Sequence, residues 1–174
     1  MSNDTKKASP KWQRALTAVE WLTAQFGQES FYQIYTFNTQ ISAAINNTEG
    51  QWLPVADAQE LEQAMLNLKQ VIPQQGTSLQ RAFQSVSQLN PLPDNILLIT
   101  DGLPTQGLEK PKSNTISGPE RLELYDDAVF SLPTGIPVNI MLWPMEGDPM
   151  AAAAFWKLAQ LTAGSFMSPA KDWP

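Results

Sequence analysis

The sequence predicts an α/β domain with an open, mostly parallel, doubly wound sheet and helices on both faces. Three observations predict it. Helical patterns of about 12–16 residues alternate with short strand patterns, the arrangement in which helices cover both faces of a sheet. One strand pattern, Ile96-Leu-Leu-Ile-Thr100, is apolar along its length, as a parallel strand buried on both faces must be. The chain has 174 residues, which suits a single domain with a full-sized core.

Each element has its own local reason. Residues 1–10 are polar and end in Ser9-Pro10, which reads as a loop or a frayed N-terminus. The domain proper is then 11–174. Trp12, Leu16, Val19, Leu22 and Phe26 recur every three or four residues on one helical face, and Gly27 stands where a C-terminal cap glycine would. Phe31–Phe37 is rich in aromatic and β-branched residues and predicts a strand. Residues 38–50 are polar and suit a loop or hairpin. Trp52–Val55 predicts a short strand that Pro54 confines to a sheet edge.

The spacing of Leu61, Met65, Leu68 and Ile72 predicts a helix over Asp57–Ile72, broken by Pro73-Gln-Gln-Gly76. A third helix opens near Thr77-Ser78, both good N-cap types, with Leu79, Phe83, Val86 and Leu89 on its face. After Ile96–Thr100 comes a long Pro/Gly/Lys loop over 103–118. Pro119 sits at the start of a helix carrying Leu122, Tyr125, Val129 and Leu132. Pro137–Trp143 predicts another strand. Asp148-Pro149 pairs an N-cap acid with a first-turn proline, opening a helix that carries Ala152, Phe155, Leu158 and Leu161 and closes at Gly164. Ser165–Ser168 is the final strand. The Trp and Tyr residues fall mostly on helix faces or strands and read as core.

Composition excludes several functions. There is no Cys, which removes disulfides, thiolate metal sites and cysteine nucleophiles. There is no His, which removes imidazole ligands and any Ser–His–Asp triad. Eleven Lys and Arg face seventeen Asp and Glu, so the net charge is −6. That balance opposes non-specific nucleic-acid binding and an electrostatic grip on anionic membranes. The longest apolar run, Met150–Trp156, is far short of the ~20 residues of a membrane span.

In open α/β sheets ligands bind at the carboxyl ends of the strands. Asn38, Asp101, Gly102, Glu146 and Asp148 follow predicted strands, and Thr77 and Ser78 open a helix directly after Gly76. Hydroxyl and carboxylate oxygens without nitrogen or sulfur suit a hard cation such as Mg²⁺, Mn²⁺ or Ca²⁺. The plainer reading makes Asp101 a turn aspartate before glycine and Thr77 a helix cap. A phosphate-binding Gly-x-x-x-x-Gly-Lys and a dinucleotide Gly-x-Gly-x-x-Gly are both absent.

Gly76-Thr77-Ser78-Leu79, followed about two dozen residues later by Ile96-Leu-Leu-Ile-Thr-Asp101-Gly102, resembles two parts of the metal-ion-dependent adhesion site of von Willebrand factor type A domains. Lys11-Trp12-Gln-Arg-Ala is similar to that family's first helix, Tyr32–Asn38 to its second strand, and Leu158-Ala-Gln-Leu-Thr-Ala-Gly-Ser-Phe to its last helix and strand. Pro10-Lys-Trp-Gln-Arg-Ala, Thr100-Asp-Gly-Leu-Pro-Thr-Gln-Gly and Met145-Glu-Gly-Asp-Pro-Met look like a bacterial branch in which the domain follows a membrane helix and a coiled coil. The resemblance therefore implies a Rossmann-like fold and a parent anchored in a bacterial membrane.

It also implies a non-enzymatic protein-binding module. Thr77 and Asp101 would be ligands of Mg²⁺ or Mn²⁺, and an open coordination position would take an acidic group from a protein partner. Asn38, Ser78, Gly102, Glu146 and Asp148 are further rim candidates. The family's remaining part, Asp-x-Ser-x-Ser at the end of a first strand, occurs nowhere in this chain. In the family that strand lies between the strands matched by Phe31–Phe37 and Ile96–Thr100. The expectation is a chain truncated before this central strand, with residues 1–10 as the tail of the following loop, weak or no Mg²⁺ binding, and marginal stability. The alternatives are a structural scaffold of the same fold without metal, and a Mg²⁺-dependent hydrolase using Asp101.

Overall fold

A computed structural model describes residues 3–74, 76–111, 115–143, 148–170 and 173. The order of elements is α1 (Asn3–Lys7), α2 (Pro10–Thr23), β1 (Phe31–Tyr32), β2 (Tyr35–Phe37), β3 (Ile41–Ala43), β4 (Leu53–Pro54), α3 (Ala58–Gln70), α4 (Leu79–Val86), β5 (Ile96–Thr100), α5 (Gly118–Phe130), β6 (Val138–Leu142), α6 (Ala151–Leu161) and β7 (Phe166–Met167).

The caps set most helix starts. Ser9, Asp57, Ser78 and Ser117 each accept a hydrogen bond from a backbone N–H in the first turn of α2, α3, α4 and α5. Ser117 and Glu120 form a reciprocal capping box. The polar opening segment is not wholly a loop, because Asn3–Lys7 turns once as a helix. It is held there: Lys7 Nζ donates to Gln70 Oε1 at 3.0 Å, and Gln13 Nε2 donates to the Lys7 carbonyl at 2.5 Å. The next helix stops at Thr23, with Ala24 as its C-cap, rather than at Gly27.

β5, β6 and β7 form a parallel sheet in that order, with Ile96 opposite Val138 and Ile140 opposite Phe166. Helices cover both of its faces. Leu98, Val138, Ile140 and Leu142 pack against Leu79 and Phe83 of α4, Tyr125 and Ala128 of α5, and Phe155 and Leu158 of α6. Met141 and Trp143 pack on the other face against Ala18 of α2. A second cluster joins α2, α3 and the segment after β3 through Leu16, Ala44, Ala64, Met65 and Leu68. This is the doubly wound α/β arrangement that the sequence predicts.

The sheet departs from the prediction in three ways. The predicted strand Phe31–Phe37 is two strands, broken where the Gln33 side chain accepts from the Ile34 N–H and takes the place of a ladder partner. Its first part pairs antiparallel with β4 and its second with β3, so 38–50 is a hairpin and its return. β5 is not buried on both faces: Leu97 is 43% exposed, and among the described residues β5 pairs with β6 alone. The two hairpins and the parallel sheet are three separate ladders among the described residues, not one continuous sheet. Some aromatic residues also lie outside the core, with Trp21 and Trp156 about half exposed. Among the described residues no helix is long and apolar enough to cross a membrane.

Candidate functional site

Three segments meet at the carboxyl ends of β2 and β5. The first is the turn after β2, where the Asn38 Oδ1 accepts from the Gln40 N–H at 2.8 Å, a side-chain-closed turn. The second is Gly76-Thr77-Ser78 at the start of α4. The third is the loop that leaves β5 at Asp101. The Ser78 N–H donates to the Asn38 carbonyl at 2.7 Å, tying the first segment to the second. The Thr77 carbonyl accepts from the N–H groups of Thr105 and Gln106, at 2.9 and 3.1 Å, tying the second to the third.

The candidate residues play different parts in this rim. Thr77 is half-buried, and its N–H donates to the Thr105 Oγ1 at 2.8 Å. Ser78 is fully buried: its Oγ donates to the Gly107 carbonyl at 2.7 Å and accepts from the Arg81 N–H. Its hydroxyl is committed to the loop and to the helix cap. Gly102 is buried, and its carbonyl accepts from the Thr100 hydroxyl at 3.2 Å.

Asp101 is exposed. Its side chain is 51% accessible, and its Oδ2 lies 3.4 Å from Lys11 Nζ. Placing this acid in solvent at the end of an apolar strand avoids the cost of burying a charge. Thr77 and Asp101 lie on segments bonded to each other, but no hydrogen bond joins the two residues.

Asp148 does not cap the helix that follows it. The N-cap of α6 is Met150, and it makes no side-chain cap bond. The Asp148 carboxylate instead turns inward, where Oδ2 accepts from Arg121 Nη2 and from the Leu103 N–H, each at 2.7 Å. A buried charge needs both a counter-ion and hydrogen bonds, and this position supplies them. Glu146 lies outside the described residues.

Several residues that shape the rim were not singled out by sequence patterns. Arg121 grips the loop from below: its Nε donates to the Pro104 carbonyl at 3.3 Å, and its guanidinium also donates to the Leu103 carbonyl. Thr105 receives the Thr77 N–H, and a Cβ added to Gly76 would sit 2.9 Å from its hydroxyl, so residue 76 must be small. Lys11 reaches Asp101 from 90 residues away. No local spacing announces any of these contacts.

The donor set fits a hard cation only in part. Such an ion takes about six oxygen ligands. Thr77 and Asp101 could offer one hydroxyl and one carboxylate, and that carboxylate already faces an ammonium group. The Asn38 Oδ1 and Ser78 Oγ are both engaged in turns and caps. Among the described residues no group of three or more acidic, His or Cys side chains could hold a metal ion.

No family model matches the chain, and no curated protein matches it. A search of solved structures does find a match. It is a chain described as "von Willebrand factor type A from Catenulispora acidiphila", with a TM-score of 0.64 and 16% sequence identity. The match covers 97% of this chain and 37% of that one, so the present sequence spans little more than a third of that protein's length. At such low identity the likeness concerns backbone architecture. With its parallel β5–β6–β7 sheet and helices on both faces, this chain has the fold of a von Willebrand factor type A domain.

Proposed function

We propose that this chain is a non-enzymatic protein-binding module that presents the rim at residues 38–40, 76–78 and 101–107 to an acidic group on a protein partner. The observation that carries the proposal is the joining of these three segments into one rim by backbone hydrogen bonds at Ser78 and Thr77. A rim pinned in this way is preorganised, which lowers the ordering cost of binding. Asp101 and Lys11 are the charged groups exposed on it.

In this reading Mg²⁺ or Mn²⁺ belongs to a complete site, in which Thr77 and Asp101 are two of the ligands and the rest come from outside the described residues. The chain alone then binds the cation weakly or not at all. The scaffold reading, with the same fold and no metal, draws support from one observation: the Asp101 carboxylate already has Lys11 beside it.

Fluorescence polarisation with a labelled peptide carrying a single central glutamate separates the two. The binding reading predicts weak capture that Mn²⁺ strengthens, that a chelator reverses, and that Asp101→Asn removes without altering the thermal melt. Identical polarisation in every condition and in the variant would overturn it in favour of the scaffold.

A further inference from the structure

We infer that the groove between α2 and α3 is a docking site for a protein partner, and that it takes a lysine side chain together with an apolar neighbour on the same segment. The groove lies away from the rim that carries Thr77 and Asp101. Lys11 opens α2 at that rim, whereas Thr23, in the lining of the groove, is about 18 Å further along the helix.

The groove has a volume of about 400 Å³. Its floor is apolar: Val55 and Met65 are buried, and Phe26 and Leu61 are half-buried. Its two lips each carry an exposed carboxylate, Glu20 on α2 and Glu62 on α3. The Thr23 hydroxyl is already spent, because its Oγ1 donates to the Val19 and Glu20 carbonyls at 2.9 and 3.1 Å. Recognition here rests on apolar contact and negative charge.

The charge names the guest. The C-terminal end of α2 borders the groove and has no basic residue in its last turn, so the negative end of its dipole is uncompensated there. Glu20 already holds an ammonium, with Lys69 Nζ 2.7 Å from its Oε1. Glu62, on the opposite lip, has no ion pair among the described residues. With its own Lys69 the groove shows what it accepts, a cation on a long apolar stem, and it leaves a second carboxylate without one. The negative field reaches the layer beneath. Tyr32 packs with Phe26, Val55 and Leu61, and its hydroxyl is buried with no hydrogen-bond partner among the described residues. Burial first, and then the charges of Glu60 and Asp57, raise its pKa above the ordinary 10.0.

The size names the source. A lysine lays its methylene stem on apolar surface and keeps its ammonium at the edge, which matches an apolar floor between acidic lips. One such side chain does not fill about 400 Å³, so an apolar neighbour takes the rest. An exposed ion pair alone binds weakly, which leaves a free amine too little to stay. A polypeptide brings both side chains for one cost of association. The net charge of −6 attracts such a basic segment.

The test titrates the whole chain with a labelled peptide, Gly-Ser-Leu-Lys-Leu-Ser-Gly, read by fluorescence polarisation and by the NMR shifts of the Met65 and Leu61 methyl groups. Binding should move the methyl signals of both residues. Norleucine in place of the peptide lysine keeps the stem and removes the ammonium, and should weaken binding at least about threefold. Glu62→Gln should do the same and leave the thermal melt in place, because Glu62 is exposed. Glu123→Gln removes the same charge from α5, on the other face of the sheet, and should change nothing. Ala58→Trp, at an exposed position of the lining, should fill the groove and abolish binding.

Any one of four results would overturn the inference. The peptide could fail to bind at millimolar concentration, or bind without moving the Met65 and Leu61 signals. The norleucine peptide could bind equally well, or Glu62→Gln and Glu123→Gln could weaken binding equally, which would make net charge the cause. Free n-hexylamine binding as tightly as the peptide would also overturn it, by making a small amine the occupant.

Discussion

The Arg121 guanidinium and the Asp148 carboxylate meet at 2.7 Å, with side chains 11% and 3% accessible, directly beneath the loop that leaves β5. The pair joins α5 to the segment that follows β6. It also fixes the loop, because Asp148 accepts from the Leu103 N–H while Arg121 donates to the carbonyls of Leu103 and Pro104. The outward-facing Asp101 thus stands on a loop whose next residues are bolted from within.

Removing one partner leaves the other charge buried and unpaired. Asp148→Ala should therefore cost about 3–5 kcal/mol of folding stability, and Arg121→Met with Asp148→Leu together should cost much less. Urea denaturation of the single and double variants measures the difference. Equal losses in both would mean that the pair is not the source of the effect.

Gly164 ends the turn after α6, where its N–H donates to the Ala159 carbonyl at 2.8 Å. A Cβ there would fall on the Val138 carbonyl and lie 2.8 Å from the Val138 nitrogen. Backbone of β6 cannot move aside as a flexible side chain can. Gly164→Ala should destabilise by about 3 kcal/mol. At this chain length that lowers the melting temperature by about 2–4 °C for each kcal/mol, measurable by circular dichroism.

The capping box of α5 has a titratable half. Hydrogen bonds from the Ser117 side chain and backbone hold the Glu120 carboxyl below its ordinary value of 4.5. Because the folded value is depressed, this contribution to stability is present above the ordinary value and is lost as pH falls through the depressed one. An NMR titration should find the Glu120 midpoint below 4.5 in the native chain. Ser117→Ala should bring it back up and cost about 1 kcal/mol through the lost cap. An unchanged midpoint in the variant would remove the capping box as the cause.

Lys11 and Asp101 are both exposed, so their ion pair contributes little to folding. Lys11→Gln should change stability by less than about 0.5 kcal/mol. By removing an ammonium from beside the carboxylate, it should also strengthen any response to Mn²⁺ in a calorimetric titration. A large loss of stability would show instead that Lys11 holds the rim together.

Much of this molecule was legible along the chain because its causes are local. Ser78, Asp57 and Pro119 mark helix starts through backbone donors only two or three residues away. The apolar run Ile96–Thr100 marks a parallel strand because crossover helices must cover it, and the exposed Asp101 follows from the cost of burying an acid.

What tertiary structure alone decided was who faces whom. Asp148 has the sequence form of a helix cap, yet it serves Arg121, because a buried arginine 27 positions earlier competes for its carboxylate. The Phe31–Phe37 run divides at Gln33 because two different return strands, β4 and β3, claim its halves. Local propensity and periodicity operate over a few residues, whereas pairing, burial and charge compensation depend on chain segments far apart in sequence.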